Sequence, residues 1–362
     1  MKRPSLGGLV RIVVAVALTA LVFWKSHPAE VWRALTETRP GPVLIAVLLV
    51  LADRTLMAYR WLVLLRPFSG PGGPRLGAVM RIFFVSTFVG TFLPASVGGD
   101  AVRAYALAKE GVDATASVAS VLMDRMLGVL SLLVMAVVGL LFARQMAHDP
   151  LVLTALAVTA LVCAATAAVV FSQRADAAVQ RIAGWLPWER ARGLAARLLS
   201  AVQIYADRHG DLANVLAGSI GVQLLRIVQA FFLGLALGIN QPLTTYVAFI
   251  PLILLVMLLP VTINGLGTSQ LAFVWAFAQA GVPGAQAFPL SVLFVALGVV
   301  GNLPGSVLYA TGGMHARPTR PDARGWTAAS RVPGRALSLQ GDWGIIQMMG
   351  WFALSSTNID LE

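Results

Sequence analysis

The sequence predicts an all-α, polytopic helical membrane bundle with two re-entrant broken-helix elements arranged as inverted repeats. Three observations lead there. The 362 residues are 58% hydrophobic and only 12% charged, whereas a soluble domain is about half apolar and a quarter charged. Apolar stretches long enough to cross a bilayer, for which about 20 residues suffice, recur from end to end. Two of these stretches end in breaks of related sequence, Leu93–Gly99 and Leu259–Gly265.

The elements follow in chain order. Leu9–Trp24 comes after Lys2 and Arg3, has no small-residue cleavage site behind it, and reads as a spanning helix rather than a signal peptide. Pro42–Leu65 is the second helix, with Asp53 and Arg54 inside it, and Leu76–Leu93 is the third. Thr115–Ala143 carries Asp124 and Arg125, and Leu151–Phe171 follows. Leu212–Leu237 holds Gln223, Arg226 and Gln229, and Leu243–Leu259 ends at a second proline. Gly267–Ala280 and Phe288–Ala310 complete the set. All are expected to be helical, because backbone polar groups in lipid need partners within their own segment.

Charge orients the bundle. Six arginines fall in Gln173–His209, five lie between Arg317 and Arg335, and the N-terminus has Lys2 and Arg3. Basic loops face the cytoplasm, so both termini are expected inside a cell membrane. The loop Lys25–Arg39, with three basic residues against Glu30 and Glu37, runs weakly against this. The net charge of +11 then belongs to loops facing anionic lipid rather than to a nucleic-acid surface. Counting crossings from an inside N-terminus, Leu76–Leu93 leaves from the inside and the chain is back inside by Val112. Asp100–Lys109 is its return, which makes this element re-entrant. Leu243–Ala280 begins and ends outside, as a second re-entrant hairpin or as two crossings.

Both breaks read Leu-Pro-x-[Ser/Thr]-[Val/Ile]-x-Gly, and the crossing count enters them from opposite sides. Inverted repeats with broken helices build the sites of secondary transporters in this way; two unrelated proline–glycine helix ends are the plainer alternative. Pro94, Ser96, Gly98, Gly99, Pro260, Thr262, Asn264, Gly265 and Gly267 are therefore candidate lining residues, with Ser96 and Thr262 expected near a shared cavity. Asp100 and Arg103 stand where a short helix starts after the first break. Its free N–H groups and positive dipole end suit an anion, and arginine adds a bidentate fork for phosphate. Alternatively Asp100 caps that helix and Arg103 snorkels. Ionisable residues at membrane depth cost about 2.5–3.5 kcal/mol and face the protein interior. Asp124, Arg125 and Arg226 join the candidates on that ground, with Asp124 and Arg125 expected to come toward Asp100 and Arg103. Asp53 and Arg54 form a structural ion pair or part of the path.

The stretches "YRWLVLLRP" and "FLPASVGGDAVRAYALAKEGVDATASVASVLMDRMLGVL", with "LLPVTINGLGTSQLAFV" later on, resemble the lysylphosphatidylglycerol synthase transmembrane region, also called the flippase-like domain family. The resemblance covers about residues 5–312. It implies an integral bundle with inverted repeats that holds or moves a lipid with a phosphate head group. Ser269 and Gln270 stand where family members often carry an arginine–glutamate pair, which puts an ionic contact at the second hairpin in doubt. In the family's bifunctional enzymes a cytosolic aminoacyl-transferase domain follows, and the tail 313–362 is too short to hold it.

The expected function is binding and translocation of an anionic or phosphate-bearing lipid by residues 1–312, an integral domain that includes a cytoplasmic linker at 173–210. The alternatives are a membrane-embedded transferase acting on a lipid-linked substrate, and a non-catalytic membrane partner of a separate lipid-modifying enzyme. Catalysis is disfavoured because the chain has no HExxH, GxSxG, Gly-Lys-Ser/Thr or Asp-x-Asp motif. No cofactor or metal is expected: the four histidines fall in separate loops, and Cys163 is the single cysteine. The linker's Trp185–Trp188 is read as touching the membrane surface. The basic, proline-rich tail is expected to be disordered or to lie on the anionic leaflet.

Overall fold

A computed structural model describes residues 21, 23–25, 28–68, 76–92, 98–110, 112–143, 148–171, 189–258 and 267–312. Pro94, Ser96, Pro260, Thr262, Asn264 and Gly265, most of Leu9–Trp24, Trp185–Trp188 and the tail from Gly313 lie outside these residues.

The described chain is helical, with no strand among the described residues. Its helices are α1 (Pro28–Thr36), α2 (Pro40–Leu65), α3 (Leu76–Phe92), α4 (Gly98–Lys109), α5 (Ala114–Phe142) and α6 (Pro150–Phe171). Then come α7 (Glu189–Gln203), α8 (His209–Ala236), α9 (Leu243–Met257), α10 (Thr268–Ala278) and α11 (Gly284–Gly312). The chain is a polytopic helical membrane protein: among the described residues, α2, α5, α6, α8 and α11 are the 5 helices long and apolar enough to cross a bilayer. They are the segments that the charge-based count assigned to full crossings, apart from Leu9–Trp24. The helix α11 starts a turn before the expected Phe288. Its Pro289 lies inside the helix, as Pro251 does in α9, and such prolines are tolerated in lipid because neighbours re-satisfy the freed carbonyl.

Two compact units emerge. The first comprises Met1–Leu56, Leu130–Ala160 and Ile220–Leu303; the second comprises Met57–Val129, Leu161–Ser219 and Pro304–Glu362. All five long helices are divided, each giving one part to each unit, whereas α3 and α4 fall wholly in the second and α9 and α10 wholly in the first.

In the second unit α3 packs on α4. A Cβ on Gly90 would meet Gly99 Cα at 2.6 Å, and one on Gly99 would meet Ser86 O at 3.2 Å. Farther from the break, Ile82, Val85 and Ser86 face Val102 and Ala106 around a small void. The residue numbers rise on one helix as they fall on the other, so the pair is an antiparallel hairpin closed on two glycines. With the hydrophobic effect absent in lipid, such close backbone approach supplies the packing energy. Trp61, Leu65, Val79, Phe83 and Leu107 form the core beside it. Tyr205, after α7, donates from its hydroxyl to Leu64 O at 2.7 Å. Burial, with Asp124 and Asp211 nearby, pushes its phenol well above the usual tyrosine range, so it stays a neutral donor.

In the first unit α9 packs on α10 over an aromatic core. Tyr246 and Phe249 lie 5.3 and 5.5 Å from the ring of Phe277, edge-on as aromatic quadrupoles prefer.

The hairpin contact is directly testable. Gly90→Val should lower stability by about 1–3 kcal/mol, seen as a reduced melting temperature in detergent. Gly77→Ala, which meets nothing within 4 Å, should stay within about 0.5 kcal/mol of wild type. Equal melting temperatures for Gly90→Val and wild type would contradict the close packing.

Candidate functional site

The second unit holds a continuous ionic chain. Asp100 lies in the first turn of α4, where a carboxylate complements the helix dipole, and Arg103 follows one turn later on the same face. Arg103 Nη2 donates to Asp100 Oδ1 at 2.8 Å, and its Nη1 donates to Asp124 Oδ2 at 3.4 Å. Arg60, on α2, donates from Nη2 to Asp124 Oδ1 at 2.9 Å and to the Asp124 carbonyl at 3.2 Å. Arg125 Nε donates to Asp100 Oδ2 at 2.6 Å. Every oxygen of both carboxylates is thus used, in the order Arg60–Asp124–Arg103–Asp100–Arg125.

Burial is uneven along this chain. The Arg60, Arg103 and Asp124 side chains are 3%, 5% and 5% exposed, whereas Arg125 is 50% exposed. The Arg103 guanidinium sits 5.1 Å from the Trp61 ring and 5.4 Å from Phe83, so two aromatic faces replace part of its lost hydration. Trp61 is held in turn by its Nε1–H, which donates to Ser120 Oγ at 3.2 Å.

The first unit has its own polar cluster. Arg54 Nη1 donates to Asp53 Oδ2 at 3.1 Å, its Nε to Asn302 Oδ1 at 2.9 Å and its Nη2 to the Gly298 carbonyl at 3.2 Å. Arg226 Nε stands 3.6 Å from Asp53 Oδ1. At the second hairpin Gly267 adopts φ 83°, a conformation open mainly to glycine. Its N–H donates to Gln270 Oε1 at 2.6 Å, and Ser269 Oγ–H donates to the same oxygen at 3.0 Å. Here a neutral side-chain amide does the capping.

Four of the sequence's candidates, Asp100, Arg103, Asp124 and Arg125, are therefore brought together, with Gly98 and Gly99 at the start of their hairpin helix. Asp53, Arg54 and Arg226 meet separately. The partners of Asp124 include Arg60 and Arg103, and those of Asp53 include Arg54 and Arg226. Arg103, expected to present its fork to an anion, has that fork on two carboxylates. Arg60 and Asn302 are additions. Arg60 was open to the same rule that picked Asp53 and Arg54, an ionisable residue inside an apolar segment, whereas Asn302 carries no charge to mark it.

Asp124 bridges two guanidiniums, which fixes how its variants behave. Asp124→Asn should cost about 3–5 kcal/mol, the penalty for stranding a buried charge, read as a lower melting temperature. Adding Arg60→Met should recover part of the loss, because Arg103 keeps Asp100. A wild-type melting temperature for Asp124→Asn would contradict the bridge.

A model of the family "Lysylphosphatidylglycerol synthase TM region" matches residues 8–305. A UPF0104 membrane protein of Methanothermobacter thermautotrophicus is 24% identical over 294 residues, covering 76% of this chain and 86% of that protein. No solved structure matches. With most of its length matched, the chain belongs to the lysylphosphatidylglycerol synthase TM region family.

Proposed function

We propose that the protein binds the phosphate of a membrane lipid at the Asp100–Arg125 end of the ionic chain and carries that lipid across the bilayer. The observation that carries this is the make-up of the cluster: three arginines against two aspartates, with the outermost arginine half exposed. The five groups sum to one positive charge, which a phosphodiester matches. Ionisable groups at membrane depth are costly and mark ligand paths. The family description names a lysylphosphatidylglycerol synthase, and phosphatidylglycerol contains such a phosphodiester.

On this reading the buried members have a positioning role. Arg60 and Arg103 hold Asp124, Arg103 holds Asp100, and Asp100 aims Arg125. A lipid phosphate competes with Asp100 for the Arg125 fork, and Asp100 retains Arg103 when Arg125 turns away. That exchange lets the phosphate bind and leave without stranding a buried charge. The two hairpins are taken as re-entrant, since α4 has 12 residues and α10 has 11, against about 20 for a crossing. The linker at 173–210 and both termini are assigned to the cytoplasmic side from their basic residues.

The test is lipid movement in liposomes containing the purified protein. Arg125→Ala should slow movement of a labelled phosphodiester lipid about tenfold or more, the worth of one charge-assisted hydrogen bond, at a wild-type melting temperature. Arg125→Lys should restore part, because a point charge lacks the planar fork. Wild-type rates for Arg125→Ala, or chemical conversion of the lipid instead of movement, would overturn the proposal.

A further inference from the structure

Within the second unit the linker meets the same three helices that the ionic chain joins, α2, α4 and α5. Leu198, on α7, packs on the cluster that Ala104 of α4 forms with Val118 and Val121 of α5. Tyr205, just past the end of α7, is fully buried. Its hydroxyl donates to the Leu64 carbonyl of α2 at 2.7 Å, and its ring meets Phe68 edge-on at 5.7 Å. Along α7, Leu199, Ala201 and Val202 are buried, whereas Arg197 and Ser200 are exposed. One face of the helix is therefore docked and the other turns outward.

The register of these contacts gives them a meaning. Leu64 lies four residues after Arg60, Ala104 one residue after Arg103, and Val121 three residues before Asp124. Since α4 ends at Lys109 and α5 starts at Ala114, later on α4 and earlier on α5 point to one end of the unit. The docked linker thus forms a layer about one helical turn from the ionic chain. Arg125, the outermost member of that chain, is half exposed. The ionic chain is covered on the linker side, assigned above to the cytoplasm, and open at Arg125. A transporter exposes its site to one side at a time, so a phosphate held at Arg125 leaves toward the linker only when this cover moves. The cover is suited to moving. Its contacts include a neutral hydrogen bond and apolar packing, which part without stranding a buried charge, whereas the ionic chain does not. We propose that α7 and Tyr205 form a gate on the lipid path, closed in this structure, whose release opens the linker side of the ionic chain. The proposal rests on the lipid-binding reading above and adds its moving part.

The test locks the gate. In the full chain with Cys163→Ala, Leu198→Cys is paired in turn with Ala104→Cys, Val118→Cys and Val121→Cys, and each protein is oxidised in liposomes containing fluorescently labelled phosphatidylglycerol. At least one pair should crosslink, since packed side chains bring Cβ atoms within disulfide reach. In the crosslinked protein lipid movement should fall about tenfold or more while lipid affinity stays within about twofold, and reductant should restore the rate. Tyr205→Phe, which removes the bond to the Leu64 carbonyl, should let a water-soluble maleimide label Ala104→Cys about fivefold faster, the population shift that one neutral hydrogen bond supports. Undiminished movement in the crosslinked protein overturns the gate, as does a loss of affinity that matches the loss of movement, which makes the contact a structural hold on the site. Failure of all three pairs to crosslink overturns the docked contact itself. Unsubstituted protein that neither binds nor moves the lipid removes the lipid-binding reading, and the gate with it.

Discussion

The Asp124 carboxylate is the contact on which the second unit depends. It stands on α5 and accepts from Arg60 of α2 and Arg103 of α4, so one side chain joins three helices. Burying ions has a high desolvation cost, and mutual attraction offsets it only when the remaining donors and acceptors are also placed. The surroundings follow from that requirement: Asp100 takes the second Arg103 nitrogen, Trp61 and Phe83 flank its guanidinium, and Ser120 fixes Trp61. What remains at the open end is Arg125, a cation aimed by a carboxylate and half exposed.

Hairpin packing serves the same end. Gly90 and Gly99 let α3 and α4 approach until their backbones touch, which sets the first turn of α4, with Asp100 and Arg103, at a fixed register against α3. Bulk at either glycine would shift that turn and lengthen the ion pairs. The second hairpin is held differently, by edge-on aromatics between α9 and α10, and the start of α10 is capped by the Gln270 amide on the Gly267 N–H. At its start Ser269 donates to the same Gln270 oxygen. The second unit holds the chain of five ionic groups, and the first unit has its own ionic cluster of Asp53, Arg54 and Arg226.

Much of this is legible in the sequence because lipid leaves few choices. Long apolar runs must be helical, and their ends were set by proline, glycine and charge to within a few residues. The short α4 was readable from Gly98–Gly99–Asp100, and the convergence of Asp100, Arg103, Asp124 and Arg125 from the order of crossings. Of the partners, only the Asp53–Arg54 pair was read from the sequence, and it forms as the long Arg54 side chain folds back onto its neighbour. Arg60 pairs with Asp124 across 64 positions, a contact set by helix rotation. The helices α1 and α7 were absent from the reading because neither is a long apolar run: one buries Val31 against Phe288, and the other lies in the linker, read for its basic charge and for Trp185–Trp188.

The central claim is that a lipid phosphate sits at the Arg125 end of the ionic chain. The most direct measurement is photo-crosslinking with a phosphodiester lipid carrying a diazirine beside the phosphate, followed by peptide mapping by mass spectrometry. The account predicts adducts on peptides spanning 98–110 and 114–128, lost in Arg125→Ala. Adducts confined to the lipid-exposed face of α6, around Leu161 and Val162, and unchanged in that variant would contradict it.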